Sequence, residues 1–580
     1  LRFARLLPLL LATAVSAHAA PAPGKTDKAI PVAISGWRFF SGPPPADWAD
    51  PAFDDRGWGG PAPGPFAPER PGLLPPPDNA PPVTRYKAAR GQPLLLRARI
   101  NAADPGRVRV LELRVAYGDG FIAYLDGHEV ARRGMAPSGT AAAAPHGPEV
   151  EHVTIPIPLA GLAGLQPGGD TIALAIFAAP VRSLVMPTVP AGIVEVAAFS
   201  GVRITRGPYL NVRPGSAPGM TFRWQADMHA TGTLTITSPD GKPVDSVRSR
   251  DRGLPSGGSI DVSTSLNLKP GQAYIYRLMV DAGHGDVATA GPFRFETLPA
   301  EPAPVRFAVY GDMRYPGHDQ HRAVVEGLVR EAPPIVFNTG DLTDIGSEES
   351  NWQKYFEITA PLGAIAPIVP ALGNHDGERR GTGATITAGL FGLQGPNFTN
   401  FWTSYDYGGV HFVILSTNEM TNMAQRDWLR EDLAKARRNH ARAIFAFCHE
   451  GPWSHGLHGR SDLMIRTYAP ILAEAHVDVL FSGHDHIYER GVGSTPSGKL
   501  TYIVTGGGGA PLYDPSCRAA SGPPPGDVGH LLFPCPTSVA ALTKTYHYIM
   551  VEVAKSAITI CPKHPDGTAV EPCLHMTAAE

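Results

Sequence analysis

The spacing of apolar residues changes character twice along the chain. From about Ile30 to Ser200, stretches such as VRVLELRVAY and GFIAYLDGHEVARR alternate apolar with polar residues and are punctuated by turn pairs such as Asp126-Gly127. That period of two predicts short antiparallel strands folded as a β-sandwich. From Val202 to about Leu298 the period continues in TFRWQA, GTLTITS and AYIYRLMVDAG, a second all-β unit, and PAEPAP then forms a semi-rigid linker. After Val305 the pattern becomes apolar runs (VRFAVY, PIVFNTG, APIVPALG, AIFAFCH, VDVLFSG) separated by amphipathic segments of helical length (DQHRAVVEGLVRE, MAQRDWLREDLAKARR, SDLMIRTYAPILAEA). Runs without alternation belong to strands buried on both faces, so this region reads as a layered α/β domain.

Length agrees with that division, since 580 residues exceed what one core serves and suggest roughly three or four units. With 50 basic and 53 acidic side chains the formal charge is -3, so nothing global steers the chain towards nucleic acid or anionic membranes; any charged partner must be recognised locally, and no nucleic-acid-binding patch is expected. At the N-terminus, Arg2 and Arg5 precede a short apolar run and then Ala17-His18-Ala19, the order of a secretory signal over residues 1–19. Later segments are too short or too polar to span a bilayer, so a secreted or periplasmic protein without a transmembrane segment is expected. In an oxidising compartment Cys517 and Cys535 can pair across a Pro/Gly-rich loop, and Cys561 and Cys573 across the C-terminal segment, leaving Cys448 as a buried thiol.

Polar clusters stand at the ends of the apolar runs: GDMR with Asp312, GDLTD with Asp341, GNHD with Asn374 and His375, FCHE with His449, and GHDH with His484 and His486. Each string alone is common, and each residue has a plain alternative as a helix cap, a turn residue or a satisfied core histidine. Five in order at successive strand ends are not expected by chance. Over about Val305 to Val553 the set resembles the calcineurin-like metallophosphoesterase superfamily, and RGPYL followed by TFRW resembles the fibronectin type III-like domain that precedes purple acid phosphatases. WADPAFDDRGW with YGDGFIAYLDGHEVARR resembles galactose-binding-like jelly rolls.

The resemblance implies a multidomain chain of two N-terminal all-β sandwiches and an α/β (αββα) metallophosphoesterase domain. Its parts are a galactose-binding-like sandwich at 30–200, a fibronectin type III-like domain at 202–298, the metallophosphoesterase domain at 303–555 and a tail at 556–580. It also implies two metal ions, iron, zinc or both with manganese also tolerated, because mixed carboxylate and imidazole ligands suit all three. By motif position Asp341 bridges, Asp312 and His486 hold the first ion, and Asn374, His449 and His484 hold the second. His484 and His486, two apart on an extended segment, would face one side, with Asp485 turned away to orient an imidazole. Charge at such a centre acidifies water for attack on a phosphoester. His375 would bond the phosphate or protonate the leaving group, and His458, in competition with His455, would also face the substrate.

Two positions depart from the family. Arg314 stands where many members carry a histidine ligand, and it has no lone pair to offer, so it is expected to clamp a substrate phosphate. Asp344 stands where purple acid phosphatases carry a tyrosine ligand. The first ion therefore lacks a ligand, which His321, Asp344 or water could supply. The run Gly506–Gly509 lacks the Lys-Ser/Thr of a P-loop and reads as a tight turn lining the site. The expected function is an exported phosphatase acting on phosphate monoesters. The alternatives are a phosphodiesterase and a glycan-binding protein with an impaired centre, the sandwich at 30–200 making the glycan contact or serving as scaffold.

Overall fold

A computed structural model describes residues 28–578 apart from segments 69–83, 139–150, 178–191, 213–219, 250–258, 378–381, 393–400, 518–534 and shorter gaps. The signal segment at 1–19 lies outside the described residues.

The N-terminal third is built of strands. A four-stranded and a seven-stranded sheet, which include Val110–Tyr117 and Leu94–Ala102 respectively, share one core that contains Leu96, Ile100, Leu113, Val115, Ile155 and Leu174. A three-stranded and a four-stranded sheet follow, packed over Phe222, Trp224, Tyr276 and Phe295.

From residue 305 onward two mixed sheets stack face to face. The first contains β1 (Val305–Tyr310), β2 (Val336–Asn338) and β3 (Ile368–Pro370). The second contains β4 (Thr403–Tyr407), β5 (Val410–Ile414), β6 (Ala443–Phe447), β7 (Val479–Ser482), β8 (Tyr488–Thr495), β9 (Gly498–Thr505) and β10 (Val539–Thr543). The first sheet is completed by β11 (Tyr548–Ala554), β12 (Ala557–Lys563) and β13 (Leu574–Thr577), in the order β3-β2-β1-β11-β12-β13. The second runs β4-β5-β6-β7-β9-β8-β10. Helices α1 (His318–Glu331) and α2 (Glu349–Gly363) cover the first sheet together with Ala388 and Phe391 of α4 (Thr382–Phe391), while α5 (Met423–Arg438) covers the second; α3 (Asn374–Gly377) follows β3. The result is the expected αββα layering.

Alternation along the strands explains the layers. In β1, Phe307 and Val309 point into the core between the sheets while Ala308 and Tyr310 pack under α1 and α2. In β6, Phe445 and Phe447 face inward while Ile444 and Ala446 face α5. Both faces are buried, which is why these strands read as unbroken apolar runs.

One expectation is corrected. The segment assigned as a tail, 556–580, supplies β12 and β13, because the alternating AITICPK pairs antiparallel with β11 and Cys561 bonds Cys573. Cys517 bonds Cys535, and Cys448 is a buried free thiol. Tyr405 and Tyr407 are core residues between the sheets. Among the described residues no helix is long and apolar enough to cross a membrane.

The β domains grip the helices that follow the candidate site loops. Arg206 pairs with Glu349 at the start of α2 (2.7 Å), and Gln353 of the same helix exchanges two hydrogen bonds with the backbone of Thr154 (2.8 and 3.1 Å). Tyr209 Oη and Asn211 Nδ2 donate to the carbonyls of Leu390 and Phe391 at the end of α4 (3.1 and 3.0 Å).

A buried ion cluster fastens the second sheet to its helix. His411 on β5 bonds Asp406 through Nδ1 (2.7 Å) and Asp432 on α5 through Nε2 (2.9 Å), and Ser404 Oγ donates to Asp432 (2.9 Å). Burial opposes the imidazolium, but bonds to two carboxylates outweigh it and raise its pKa to about 9. A raised folded-state pKa stabilises below the unfolded value near 6.5 and ceases to do so as pH climbs through about 9. We expect His411→Gln to cost on the order of 2 kcal/mol at pH 6, the figure being reduced because Asp406 is half exposed. The gap between variant and wild-type urea midpoints should close towards pH 10; a gap independent of pH would refute the ionic account.

Candidate metal centre

The five polar clusters converge where parallel strands of the two sheets end, the usual location of sites in open α/β sheets. Asp312 follows β1, Asp341 follows β2, Asn374 opens α3 after β3, His449 follows β6, and His484 and His486 follow β7. Three of these residues adopt left-handed backbone: Asp312 (φ 59°), Asp341 (φ 53°) and His484 (φ 70°). Such conformations are costly for non-glycine residues and gather where geometry serves function.

Close backbone approach requires glycine at two neighbouring points. A Cβ on Gly373 would lie 2.2 Å from both the nitrogen and Oδ1 of Asp341, and one on Gly483 would lie 2.2 Å from Asp312 Oδ2. The extended-segment explanation for the paired histidines is corrected here. Asp485 N bonds the carbonyl of Gly483 and Ile487 N that of Asp485, so the chain turns tightly between the two imidazoles.

Hydrogen bonding fixes where the lone pairs point. His449 Nδ1–H donates to the carbonyl of Thr339 (2.9 Å), which leaves Nε2 unprotonated. That Nε2 faces Asn374 Oδ1 at 2.8 Å, His484 Nδ1 at 3.2 Å and Asp341 Oδ1 at 3.3 Å. His486 Nδ1–H donates to the carbonyl of Pro511 (2.7 Å); its Nε2 is buried without a hydrogen-bond partner and lies 3.6 Å from Asp312 Oδ1. Electron pairs directed at one another inside a protein need a cation between them, and Asp312, Asp341 and His449 can offer ligand atoms within 4.8 Å of one another. The donor set fits transition-metal ions.

Burial and neighbouring charge act differently on these side chains. Burial, reinforced by the neighbouring charge of Asp341, pushes the Asp312 carboxyl well above its usual range. Burial also opposes ionisation of Asp341, but the positive charge around it, that of Arg314 included, and the backbone N–H of His375 hold its pKa low. Burial depresses His484 to about 2 and His486 to about 4, so both imidazoles stay neutral, as ligation requires.

The remaining candidates ring this centre. His375 donates Nδ1–H to the carbonyl of Asp344 (2.7 Å), which turns Nε2 to within 4.0 Å of Asp341 Oδ2. The His458 ring stacks on His484 at 4.0 Å between centroids, whereas His455 is held by Glu489 (2.9 Å). Arg314 lies between two acids, Nη1 at 3.1 Å from Asp344 and Nε at 3.5 Å from Asp341. His321 is packed between the rings of Tyr310 and Tyr355, with centroids 6.0 Å from each. Asp485, expected to orient an imidazole, instead accepts from the backbone nitrogens of His458 and Gly459 (2.8 and 3.1 Å) and so shapes the loop that carries His458.

Two residues in the site escaped the sequence reading. Asp376 is fully buried and accepts from the nitrogens of Leu342, Thr343 and Gly373 (2.8, 3.0 and 3.1 Å), tying the Asp341 and Asn374 loops together; burial, then the Asp341 charge, raises its pKa to about 7. Its place in GNHD was the available signal. Tyr513 stacks on His486 at 4.0 Å, and nothing in its local sequence announces this.

This four-layered fold with Asp, Asn and His side chains gathered at its strand ends is that of a metallophosphoesterase class, and residues 305–488 match the family model described as calcineurin-like phosphoesterase. The chain therefore carries a calcineurin-like phosphoesterase domain. It is 29% identical over 260 residues to purple acid phosphatase 21 of Arabidopsis thaliana and 27% identical over 305 residues to purple acid phosphatase 23 of that plant. These alignments cover 42% and 44% of this chain and 56% and 65% of the relatives, so the likeness spans somewhat over half of each relative. In three dimensions it resembles the purple acid phosphatase PPD1 from yellow lupin seeds, with a TM-score of 0.57 and 15% identity over 83% of this chain and 93% of that one. That similarity establishes the shared fold, N-terminal β region included.

Proposed function

We propose that this chain is an exported, dinuclear metal-dependent phosphatase that hydrolyses phosphate monoesters. The observation that carries the reading is the set of lone pairs from Asp312, Asp341, Asn374, His449, His484 and His486 aimed into one buried space. Asp312 and His486 would hold one ion, Asn374, His449 and His484 the other, with Asp341 between them. When bound, two such ions supply Lewis acidity towards the phosphoryl oxygens and acidify water.

The chain's own residues do the rest. Arg314 brings a permanent cation to the phosphoryl group. His375 is oriented by the Asp344 carbonyl so that Nε2 can bond a phosphoryl oxygen or deliver a proton to the leaving oxygen. His458, fixed through the Asp485 loop, stands beside His484 where the ester group would leave. The two β units act as docking scaffolds for α2 and α4. Kinship with proteins named purple acid phosphatases supports monoesters over diesters.

The test is metal analysis of the purified full chain together with hydrolysis of matched aryl monoesters and diesters. About two equivalents of metal and a higher kcat/KM for the monoester are expected. Less than one equivalent with no turnover would instead favour an impaired centre in a binding protein, and a faster diester would make the chain a phosphodiesterase.

A further inference from the structure

The loop after β9 passes directly beneath the centre. Gly508 N donates to the Gly311 carbonyl (2.8 Å), Ala510 N to Asp312 (2.9 Å) and Tyr513 N to His486 (3.1 Å). Ser516 donates twice to the His455 carbonyl, through its backbone nitrogen (2.7 Å) and its hydroxyl (3.0 Å), and Cys517 is tied to Cys535. These bonds fix the backbone on both sides of Tyr513. Its ring lies nearly parallel to His486 (4.0 Å, 15°) and edge-on to His458 (5.6 Å, 69°).

The phenol oxygen is 3.4 Å from Arg314 Nη2 and accepts from it, so the phenol hydrogen remains to be donated elsewhere. Among the described residues no acceptor lies within hydrogen-bond distance of it. Arg314 is also incompletely used, because its Nε is buried without a hydrogen-bond partner and stands 3.5 Å from Asp341 Oδ2. Arg314 Nη2 and the phenol O–H are thus held side by side next to His486, with the buried Nε turned to Asp341. An anion with several oxygens at tetrahedral angles is the group that satisfies both donors.

We propose that Tyr513 and Arg314 form an anion clamp that binds the phosphoryl group and selects terminal phosphates over diesters. The inference rests on the phosphoesterase reading and specifies its substrate. A terminal phosphate offers three unesterified oxygens and nearly two negative charges, whereas a diester offers two oxygens and one charge. One clamp donor loses its acceptor when the third oxygen carries a second ester group, and a donor left unpaired in the bound state penalises that substrate.

Inorganic phosphate is the direct probe, titrated calorimetrically into the metal-loaded full chain, Tyr513→Phe, Arg314→Gln and the double variant. Each single change is expected to weaken phosphate binding roughly tenfold, and the double change by less than the product, since both donors serve one ligand. Metal content should equal wild type, and the monoester-to-diester ratio of kcat/KM should fall in Tyr513→Phe. Unaltered phosphate affinity in Tyr513→Phe would overturn the clamp. So would loss of a metal equivalent in that variant, which would make Tyr513 a ligand. Should the wild type hydrolyse neither ester, the phosphoesterase reading fails, yet the phosphate titration still decides the clamp.

Discussion

Asp341→Asn is expected to lower kcat/KM on a phosphomonoester by roughly a thousandfold or more and to release at least part of the bound metal. The substitution keeps the side-chain shape. Asparagine Oδ1 can still accept from His375 N, as the carboxylate does at 3.0 Å, so the loop has reason to stay folded. What disappears is the negative charge between the two proposed ion positions. Cations a few ångströms apart repel strongly, and a neutral amide offsets none of that repulsion. Metal analysis alongside kinetics separates the causes, and far-UV circular dichroism controls for folding. Hydrolysis at wild-type rate with the metals retained would reject the proposed centre.

The second large effect concerns the layer between the sheets. Phe307 is fully buried, with its ring centroid 5.5 Å from Phe337, 5.2 Å from Phe412 and 5.1 Å from Phe445. It belongs to the first sheet, while Phe412 and Phe445 belong to the second. Phe307→Ala would remove packing on both sides of the interface, at a cost of about 3 to 5 kcal/mol for such truncations. The same strand leads into Asp312, so loosening it should also weaken metal retention. The expected result is a lower urea midpoint for the transition that releases metal, with Phe307→Leu falling in between. A midpoint equal to wild type would mean that the sheets do not depend on this contact.

These four side chains act at different levels of the molecule. Asp341 acts through charge, Phe307 through volume, and His411 through a proton that binds more tightly in the folded state. Tyr513 acts through a donor whose value depends on what fills the site. A titration of activity alone would mix them, and metal content, urea midpoints and phosphate affinity keep them apart.

Much of the fold was legible because burial writes a simple pattern. Phe307 and Ala308 point to opposite layers, both apolar, so VRFAVY had to be an interior strand between two covered faces. The candidate site residues stood out too, since Asp, Asn and His gathered at strand ends are hard to justify as packing. The C-terminal strands were passed over although their signal is local: alternating AITICPK folds back on β11 through the turn at Lys555-Ser556, where Lys555 is left-handed (φ 57°). The reason offered for His484 and His486 facing together failed because a left-handed residue replaced the assumed extended backbone.

By itself the sequence determined which residues carry lone pairs and charge, and which stretches must be buried, because those are properties of side chains and of their period. Only the tertiary structure decided which atoms face each other. It turned His455 towards Glu489 and laid His458 on His484, it gave Asp376 and Asp485 to backbone nitrogens, and it brought Tyr513 against Arg314 across 199 positions. Hydrogen bonds between distant loops set those orientations, and distance along the chain holds no record of them.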